Sequence, residues 1–595
     1  MSEDKTRSIH EEENLGAVFE PRLVKRLLTY LKPYRLRVFI SVFLLLVIAA
    51  AEQLGPYLTK VALDDYIVPG DFNGLVLIVV LYFVLYLVLA FARIGQALLT
   101  GWVGEKVMYD IRKEVFAHLQ RQTLTYFDRN PVGRLVTRAT NDVQTLSEIF
   151  SSGIVVVFGD VFMLIMIIVA MLLLNWQLAI VAVAVVPFVV WATFFFRRRL
   201  RDAFREVRVQ TAAVNSFLQE HLSGIRIVQL FTHEKSTARS FAGVNDSLRS
   251  GHLWTVNLFS VFFPVLEILS AVAVAMIILR GGNMTLTDAI SIGTLIAFLQ
   301  YVERFFRPIR ELAEKWNIFQ SGMASAERVF DLLDTEPAIV ESSSPISLPA
   351  LSGHIEFEDV HFSYNDYGEE VLKGIDFIIE PGETIALVGA TGAGKTTIIN
   401  LLGRFYDATS GKVKLDGINV RDLDQDDLHR DLAYVSQDIF LFSGTIRNNI
   451  ALGDDFTDEQ IQNAAERVHA DSFIKRLPSG YDEPVTERGG TLSTGQRQLL
   501  SFARAMVRDP KVLVLDEATS SVDPETEAHI QDALKVMMKD RTSIIVAHRL
   551  STVQRADKIL VMHKGCLREM GTHAELLKKR GIYWRLFELQ YKRVA

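Results

Sequence analysis

The sequence predicts one chain in two unlike parts. The first is an all-α transmembrane domain of six helices with long cytoplasmic helical extensions. The second is a soluble α/β domain built around a phosphate-binding loop. Three observations predict this. Long apolar runs crowd residues 38–312, whereas residues 340–595 have ordinary soluble composition. Lys and Arg gather on one side of those runs, and a Gly-rich turn, "GATGAGKTT" (389–397), follows a short apolar strand. At 595 residues the chain is too long for one core. Its composition, 49% hydrophobic and 22% charged, averages over two solvents.

The first twenty residues, "MSEDKTRSIHEEENLGAVFE", are acidic and polar. With no apolar h-region they do not read as a signal peptide, and residues 1–21 are expected to be a flexible tail. "LVLIVVLYFVLYLVLAFA" (75–92) is uncharged and close to the about 20 residues that cross a bilayer core as a helix. Comparable runs near 36–57, 154–174, 178–196, 257–279 and 288–310 bring the expected spans to six, the second reaching to 103.

Orientation follows from the flanks. Arg22, Lys25, Arg26, Lys32, Arg35 and Arg37 precede the first span. The connections 93–150 and 197–255 carry Arg112, Lys113, Arg134 and Arg138, then Arg197, Arg198, Arg199 and Arg201. The loop 58–74 sets Asp64, Asp65 and Asp71 against Lys60 alone. The positive-inside rule therefore places both termini and the two long connections in the cytoplasm, with a bacterial inner (plasma) membrane as the expected location. Those connections keep helical periodicity, as in "DIRKEVFAHLQRQTL", so the spans are expected to continue well beyond the membrane. They turn at "YFDRNPVGRL" (126–135) and "GIRIVQLFTHE" (224–234).

Within the spans Asp160 and Glu267 are the costly residues. An ionisable group at membrane depth faces a cavity or the bundle interior, which makes both candidates for contact with a cationic or polar substrate. The plainer reading is a carboxylate near the interface, or one hydrogen-bonded to a neighbouring helix. Pro187 and Pro264 are expected to kink their helices. This domain covers 22–335, a Ser- and Pro-rich linker covers 336–352, and the soluble domain covers 353–595.

"IALVGATGAGKTT" (385–397) satisfies G-x-x-x-x-G-K-[ST] through Gly389, Gly394, Lys395 and Thr396. Backbone N–H groups of Gly389, Ala390, Thr391, Gly392, Ala393 and Gly394, and of the first turn through Thr397, would wrap phosphates at a positive helix end. Lys395 would reach the β- and γ-phosphates of ATP, and the Thr396 hydroxyl would bind Mg²⁺. "KVLVLDEATSSVD" (511–523) reads as a strand buried on both faces. It sets Asp516 to hold Mg²⁺ through water and Glu517 to act as general base on the attacking water. A second such strand, "TSIIVAHRL" (542–550), brings His548 to the same crevice as a γ-phosphate contact. A net charge of −7 gives no support to a nucleic-acid partner. Cys566, the only cysteine, excludes an internal disulfide and a thiolate metal cluster.

These residues, in this order, resemble a half-transporter of the ATP-binding cassette (ABC) exporters, from about residue 22 to 590. "YFDRNPVGRLVTRATNDV" resembles the family's first cytoplasmic loop, and "FSY" ending at Tyr364 its adenine-stacking segment. "YVSQDIFLFSGTIRNNI" resembles the glutamine loop, with Gln437 contacting Mg²⁺ and the lytic water. "TERGGTLSTGQRQ" resembles the coupling segment and signature, and "SSVD" ending at Asp523 the loop that crosses between subunits. The resemblance implies ATP with Mg²⁺ and a dimer of half-transporters in a lipid bilayer. Each ATP would lie between one subunit's phosphate loop and the other's signature, here Ser493, Thr494, Gly495 and Gln496. It also implies export of an amphipathic drug or lipid by alternating access.

Thr494 departs from the family, which has glycine there. Threonine puts a branched side chain where backbone approaches a γ-phosphate. The chain's own Lys395, Asp516, Glu517 and His548 show no such defect, so the flaw belongs to the site shared with the partner's nucleotide. That asymmetry resembles one half of a heterodimeric exporter, the alternative being a homodimer that tolerates threonine. A membrane-bound ATPase that gates or regulates a partner without pumping is the competing function. An importer, or a peptide exporter that processes its cargo, fits less well.

Overall fold

The computed structural model describes residues 21–150, 154–342, 344–348, 351–365, 368–486, 489–516, 524–546 and 553–591. Two compact units emerge. The first runs to Gln120 and resumes over Val132–Thr335, and the second joins Arg121–Pro131 to the chain from Glu336 onward.

The first unit is helical: α1 (Pro21–Tyr30), α2 (Arg35–Glu52), α3 (Leu54–Val61), α4 (Phe72–Gln120), α5 (Leu124–Arg129, which falls in the second unit), α6 (Ile154–Leu174), α7 (Trp176–Val183), α8 (Val186–Ser223), α9 (Glu234–Leu286) and α10 (Ile292–Asp334). Among the described residues, five stretches are long and apolar enough to cross a membrane: Lys32–Ile67, Phe72–Gln120, Val157–Leu174, Trp176–Ser223 and Glu234–Leu286. The sixth expected span, 288–310, falls on α10, where Glu303, Arg304 and Arg307 keep its composition from qualifying.

The helical extensions are present. α4, α8 and α9 have 49, 38 and 53 residues. At 1.5 Å per residue they measure about 74, 57 and 80 Å, against about 30 Å of hydrocarbon. Pro187 interrupts its helix as expected: α7 ends at Val183, four residues before it, and α8 resumes at Val186 with Ala184 and Val185 still in right-handed backbone. Its missing N–H leaves the Val183 carbonyl, four residues earlier, without a helical donor. Pro264 lies inside α9.

The first apolar segment breaks at Gln53, between α2 and α3. Pro56 has no N–H, so the Glu52 carbonyl four residues earlier loses its helical donor. Arg304 on α10 replaces it, donating to that carbonyl at 2.6 Å and to the Tyr86 hydroxyl at 2.9 Å. The Tyr301 hydroxyl donates to the Gln53 carbonyl at 2.6 Å. Glu52's own carboxylate pairs with Arg93 of α4. A Cβ on Gly55 would come 3.0 Å from the Tyr86 hydroxyl, which is why this close approach suits glycine. At the start of α10, the Asp64 carboxylate accepts the Ser291 hydroxyl at 2.5 Å and the Gly293 N–H at 2.8 Å. A negative charge there complements the helix dipole.

In the second unit, β1 (Ile355–Phe362), β2 (Leu372–Ile379), β4 (Ser410–Leu415) and β5 (Ile418–Asn419) form an antiparallel sheet in the order β2-β1-β4-β5. The larger sheet holds β3 (Thr384–Val388), β6 (Leu432–Val435), β7 (Val512–Asp516), β8 (Thr542–Val546), β9 (Lys558–His563) and β10 (Cys566–Gly571). Its order is β10-β9-β3-β8-β7-β6, parallel except where β10 pairs with β9. β7 and β8 are buried at every residue, as strands covered on both faces are. Val546 pairs with both Leu387 and Asp516, so β3, β8 and β7 end level with one another. The crevice beyond such strand ends is where open α/β sheets bind ligands.

Candidate nucleotide site

The phosphate loop leaves β3 at Val388. A Cβ on Gly389 would fall 2.3 Å from the Met562 carbonyl oxygen of β9. Gly394 has φ +100°, and a Cβ there would fall 2.6 Å from Leu372 Cδ2. Both positions therefore exclude any side chain. Helix α11 (Lys395–Leu402) starts at once. Lys395 is 7% exposed, and its Nζ donates to the carbonyls of Gly389 at 2.8 Å and Ala390 at 3.2 Å. Burial holds this ammonium below the usual lysine range, while the nearby Asp516 charge acts in the opposite direction. Ala393 is buried; Ala390, Thr391, Gly392 and Thr396 are exposed around the loop.

Tyr364 stands beside this loop, its hydroxyl 3.1 Å from Thr397 Oγ1. Its ring is edge-on to Phe362 and Tyr406 and is 37% exposed, which leaves a surface for a planar base. Tyr406 donates to Asp128 of α5, joining the turn 121–131 to the soluble unit.

Asp516 is buried at the end of β7. Tyr434 on the neighbouring β6 hydrogen-bonds to it, and burial first, then the carboxylate's charge, push that phenol up to about 12. Gln437 follows β6 and is exposed. It lines a cavity of about 40 Å³ together with Ser436, Thr494, Gln498 and Asp516. Glu517, Asp523 and His548 lie outside the described residues.

The signature opens α12 (Thr494–Met506). Ser493 Oγ accepts the Gln496 N–H at 3.2 Å, and Gln496 Oε1 accepts the Ser493 N–H at 2.9 Å. This capping box uses two donors reciprocally. The N–H groups of Thr494 and Gly495 are the first of those that no helix satisfies internally, and a phosphate suits them. Thr494 is exposed, and its hydroxyl accepts from Arg497 at 3.3 Å.

No cluster of three His, Cys, Asp or Glu exists among the described residues. The oxygens of Thr396, Gln437 and Asp516 suit Mg²⁺, which binds through few protein ligands and keeps water and phosphate. Asp160 is buried on α6 with one carboxylate oxygen unpartnered, and Glu267 on α9 is exposed. No hydrogen bond or ion pair joins these two. Sequence reasoning missed Tyr434 and Gln498, whose importance comes only from what faces them across the fold.

Two family models match the chain: the ABC transporter transmembrane region over residues 38–309 and the ABC transporter over residues 372–520. An uncharacterized ABC transporter ATP-binding protein of Bacillus subtilis is 39% identical over 570 residues, spanning 95% of this chain and 94% of its own. An ATP-dependent lipid A-core flippase of Syntrophus aciditrophicus is 36% identical over 572 residues, 96% of this chain and 94% of its own. A probable multidrug resistance ABC transporter ATP-binding/permease protein of Bacillus subtilis is 39% identical over 545 residues, 91% of this chain and 80% of its own.

Proposed function

The chain belongs to the ABC transporters, as an exporter-type half-transporter, and on that premise we propose that it exports amphipathic drugs or lipids as one subunit of a heterodimer. It is an ABC-type ATPase coupled to transport, and a half-transporter needs a second half. Relatives named for lipid A-core and for multidrug resistance point to one shared chemistry, a polar head on an apolar body. The basic cytoplasmic flanks support both termini and the ATPase part facing the cytoplasm of a bacterial inner membrane.

The observation that carries the nucleotide chemistry is that Lys395, on the loop leaving β3, and Asp516, at the end of β7, meet beyond the level ends of parallel strands that flank β8. ATP stacks its base on Tyr364 and lays its phosphates along Gly389–Thr397. Lys395 leaves the loop carbonyls for the β- and γ-phosphates. Thr396, Gln437 and Asp516 would hold Mg²⁺, which would supply charge neutralisation on the phosphates. Glu517 takes a proton from the attacking water while the bond from the γ-phosphorus to the leaving oxygen breaks, and His548 steadies the γ-phosphate. Ser493, the Thr494 and Gly495 amides and Gln496 face the partner's nucleotide, with Asp523 at the same junction. Thr494 keeps its amide but sets a branched side chain at the helix start, so it leaves binding and impairs hydrolysis geometry.

The test uses the chain alone in nanodiscs, followed by particle mass, MgATP turnover and vesicle uptake of amphipathic dyes and lipids. Expected is poor turnover that Thr494→Gly raises by about tenfold or more, as repairing a phosphate-stabilising contact should. A self-paired dimer with robust turnover, abolished by Glu517→Gln and unimproved by Thr494→Gly, overturns the heterodimer. Substrate-stimulated ATPase without uptake, once the partner is present, overturns export in favour of gating.

A further inference from the structure

Helix α12 carries more than the signature at its start. Thr494, Gln498 and Phe502 recur every four residues along one face, and all three line the cavity of about 40 Å³. Gln437 and Ser436 after β6, and Asp516 at the end of β7, close its other side. Gln498 is 6% exposed, and its Oε1 is buried with no hydrogen-bond partner. An orphaned buried amide oxygen in a native fold calls for an explanation. Ser436 does not supply one, since its hydroxyl donates to the Asp438 carbonyl at 2.8 Å. The Asp516 carboxylate facing the same space is also an acceptor. Asp516 already accepts from Tyr434, so the donor that is missing is the one for the amide oxygen, and a water supplying it can give its second hydrogen to the carboxylate. The volume exceeds the roughly 10–15 Å³ that one water needs.

We infer that Gln498 is a positioning residue of this chain's own nucleotide site. A water donating to its Oε1 and to the Asp516 carboxylate fixes that carboxylate on the magnesium side. One helical turn separates Gln498 from Thr494, which faces the partner's nucleotide. A rigid helix thus ties the docking of one subunit's phosphate to the metal side of the other site. The inference rests on the assignment of Asp516 to Mg²⁺ made above.

The test titrates Mg²⁺ into the ATP-saturated full-length chain in nanodiscs and follows the rise in melting temperature over the value in EDTA. MgATP kcat and KM are measured in parallel. Gln498→Met, close in shape but without the amide, is expected to weaken apparent Mg²⁺ affinity about five- to tenfold, the effect of one hydrogen bond. The ATP shift in EDTA stays unchanged, and kcat falls more than KM rises. Gln498→Asn keeps the amide and leaves room for a second water, and it recovers most of the loss. Equal losses in Met and Asn, or lower stability with an unmoved Mg²⁺ titration, mean that Gln498 only packs, and the inference falls. Should Gln498→Met not fold, Gln498→Leu decides the same question. Asp516→Asn separates the premise: if it leaves the titration unmoved, the magnesium assignment itself is wrong.

Discussion

Arg304→Met should loosen the membrane unit through a carbonyl that Pro56 orphans. The guanidinium donates to Glu52 O at 2.6 Å and to Tyr86 at 2.9 Å, and Pro56 ensures that no helical N–H can take over at the first of these. The site is part-buried, so water only partly replaces the lost donor. An unsatisfied buried acceptor costs about 1–3 kcal/mol, and hydrogen bonds between membrane helices measure nearer 0.6 kcal/mol on average, so a loss of about 0.6–3 kcal/mol is expected. The decisive experiment is a double-mutant cycle. Pro56→Ala returns an N–H at position 56, which can bond to Glu52 O within the helix. Arg304→Met should then cost about 1 kcal/mol less in the Pro56→Ala background than in the parent. Equilibrium unfolding in mixed micelles, followed by tryptophan fluorescence, reads both legs. Strictly additive effects would refute the reasoning, because Arg304 would then act through Tyr86 or through packing alone.

Gly394→Ala should abolish binding of a fluorescent ATP analogue and destabilise the soluble unit by about 1–3 kcal/mol, since φ is +100° and the new Cβ would meet Leu372 Cδ2 at 2.6 Å. Wild-type binding would refute the geometry of the loop. Lys395 is held below its ordinary range, so across the interval between the two values the unfolded chain binds more protons. Stability of the nucleotide-free protein should therefore rise with pH through that interval, a slope that Lys395→Met removes in parallel melts. Asp64→Asn should weaken the start of α10 by about 0.5–2 kcal/mol, because it removes the charge from bonds to Ser291 and Gly293. An unchanged unfolding midpoint would contradict that.

How far the sequence could be read depended on how local each signal was. Apolar runs and basic flanks act over one helix, and the long helices they imply are present. The phosphate loop was legible because Gly389 and Gly394 answer constraints set within a few residues and by the strands beside them. The network around Glu52 was not. Asp160 and Glu267 stood out as charges within apolar runs, whereas nothing in the sequence marked Glu52, Arg93 and Arg304 as members of one network. Arg304 meets Glu52 across 252 residues of chain, and only the packing of α10 on α2 and α3 brings them together. The same charges, Glu303, Arg304 and Arg307, kept α10 from meeting the apolar measure of a span. Pro187 was legible as an interruption, because a proline withholds the N–H that the carbonyl four residues earlier needs, and α7 ends at that residue, Val183. Gln498 gave no signal, since its neighbours across the cavity lie on β6 and β7.

The length of α4 has a mechanical consequence. Its apolar part ends near Arg93, and the 27 residues from Ile94 to Gln120 project beyond it, about 40 Å at helical rise. About 30 Å lies within the bilayer. A stiff rod pivoting where its two parts meet trades distance for force. A push of about 4 Å at the projecting tip becomes about 3 Å at the far end, with the force raised by about a third. Such a beam works by tilting through only a few degrees, so its gain depends on stiffness along its whole length. Gly95, Gly101 and Gly104 lie between the pivot and the tip, so that stiffness rests on the helices packed against the buried face of this stretch.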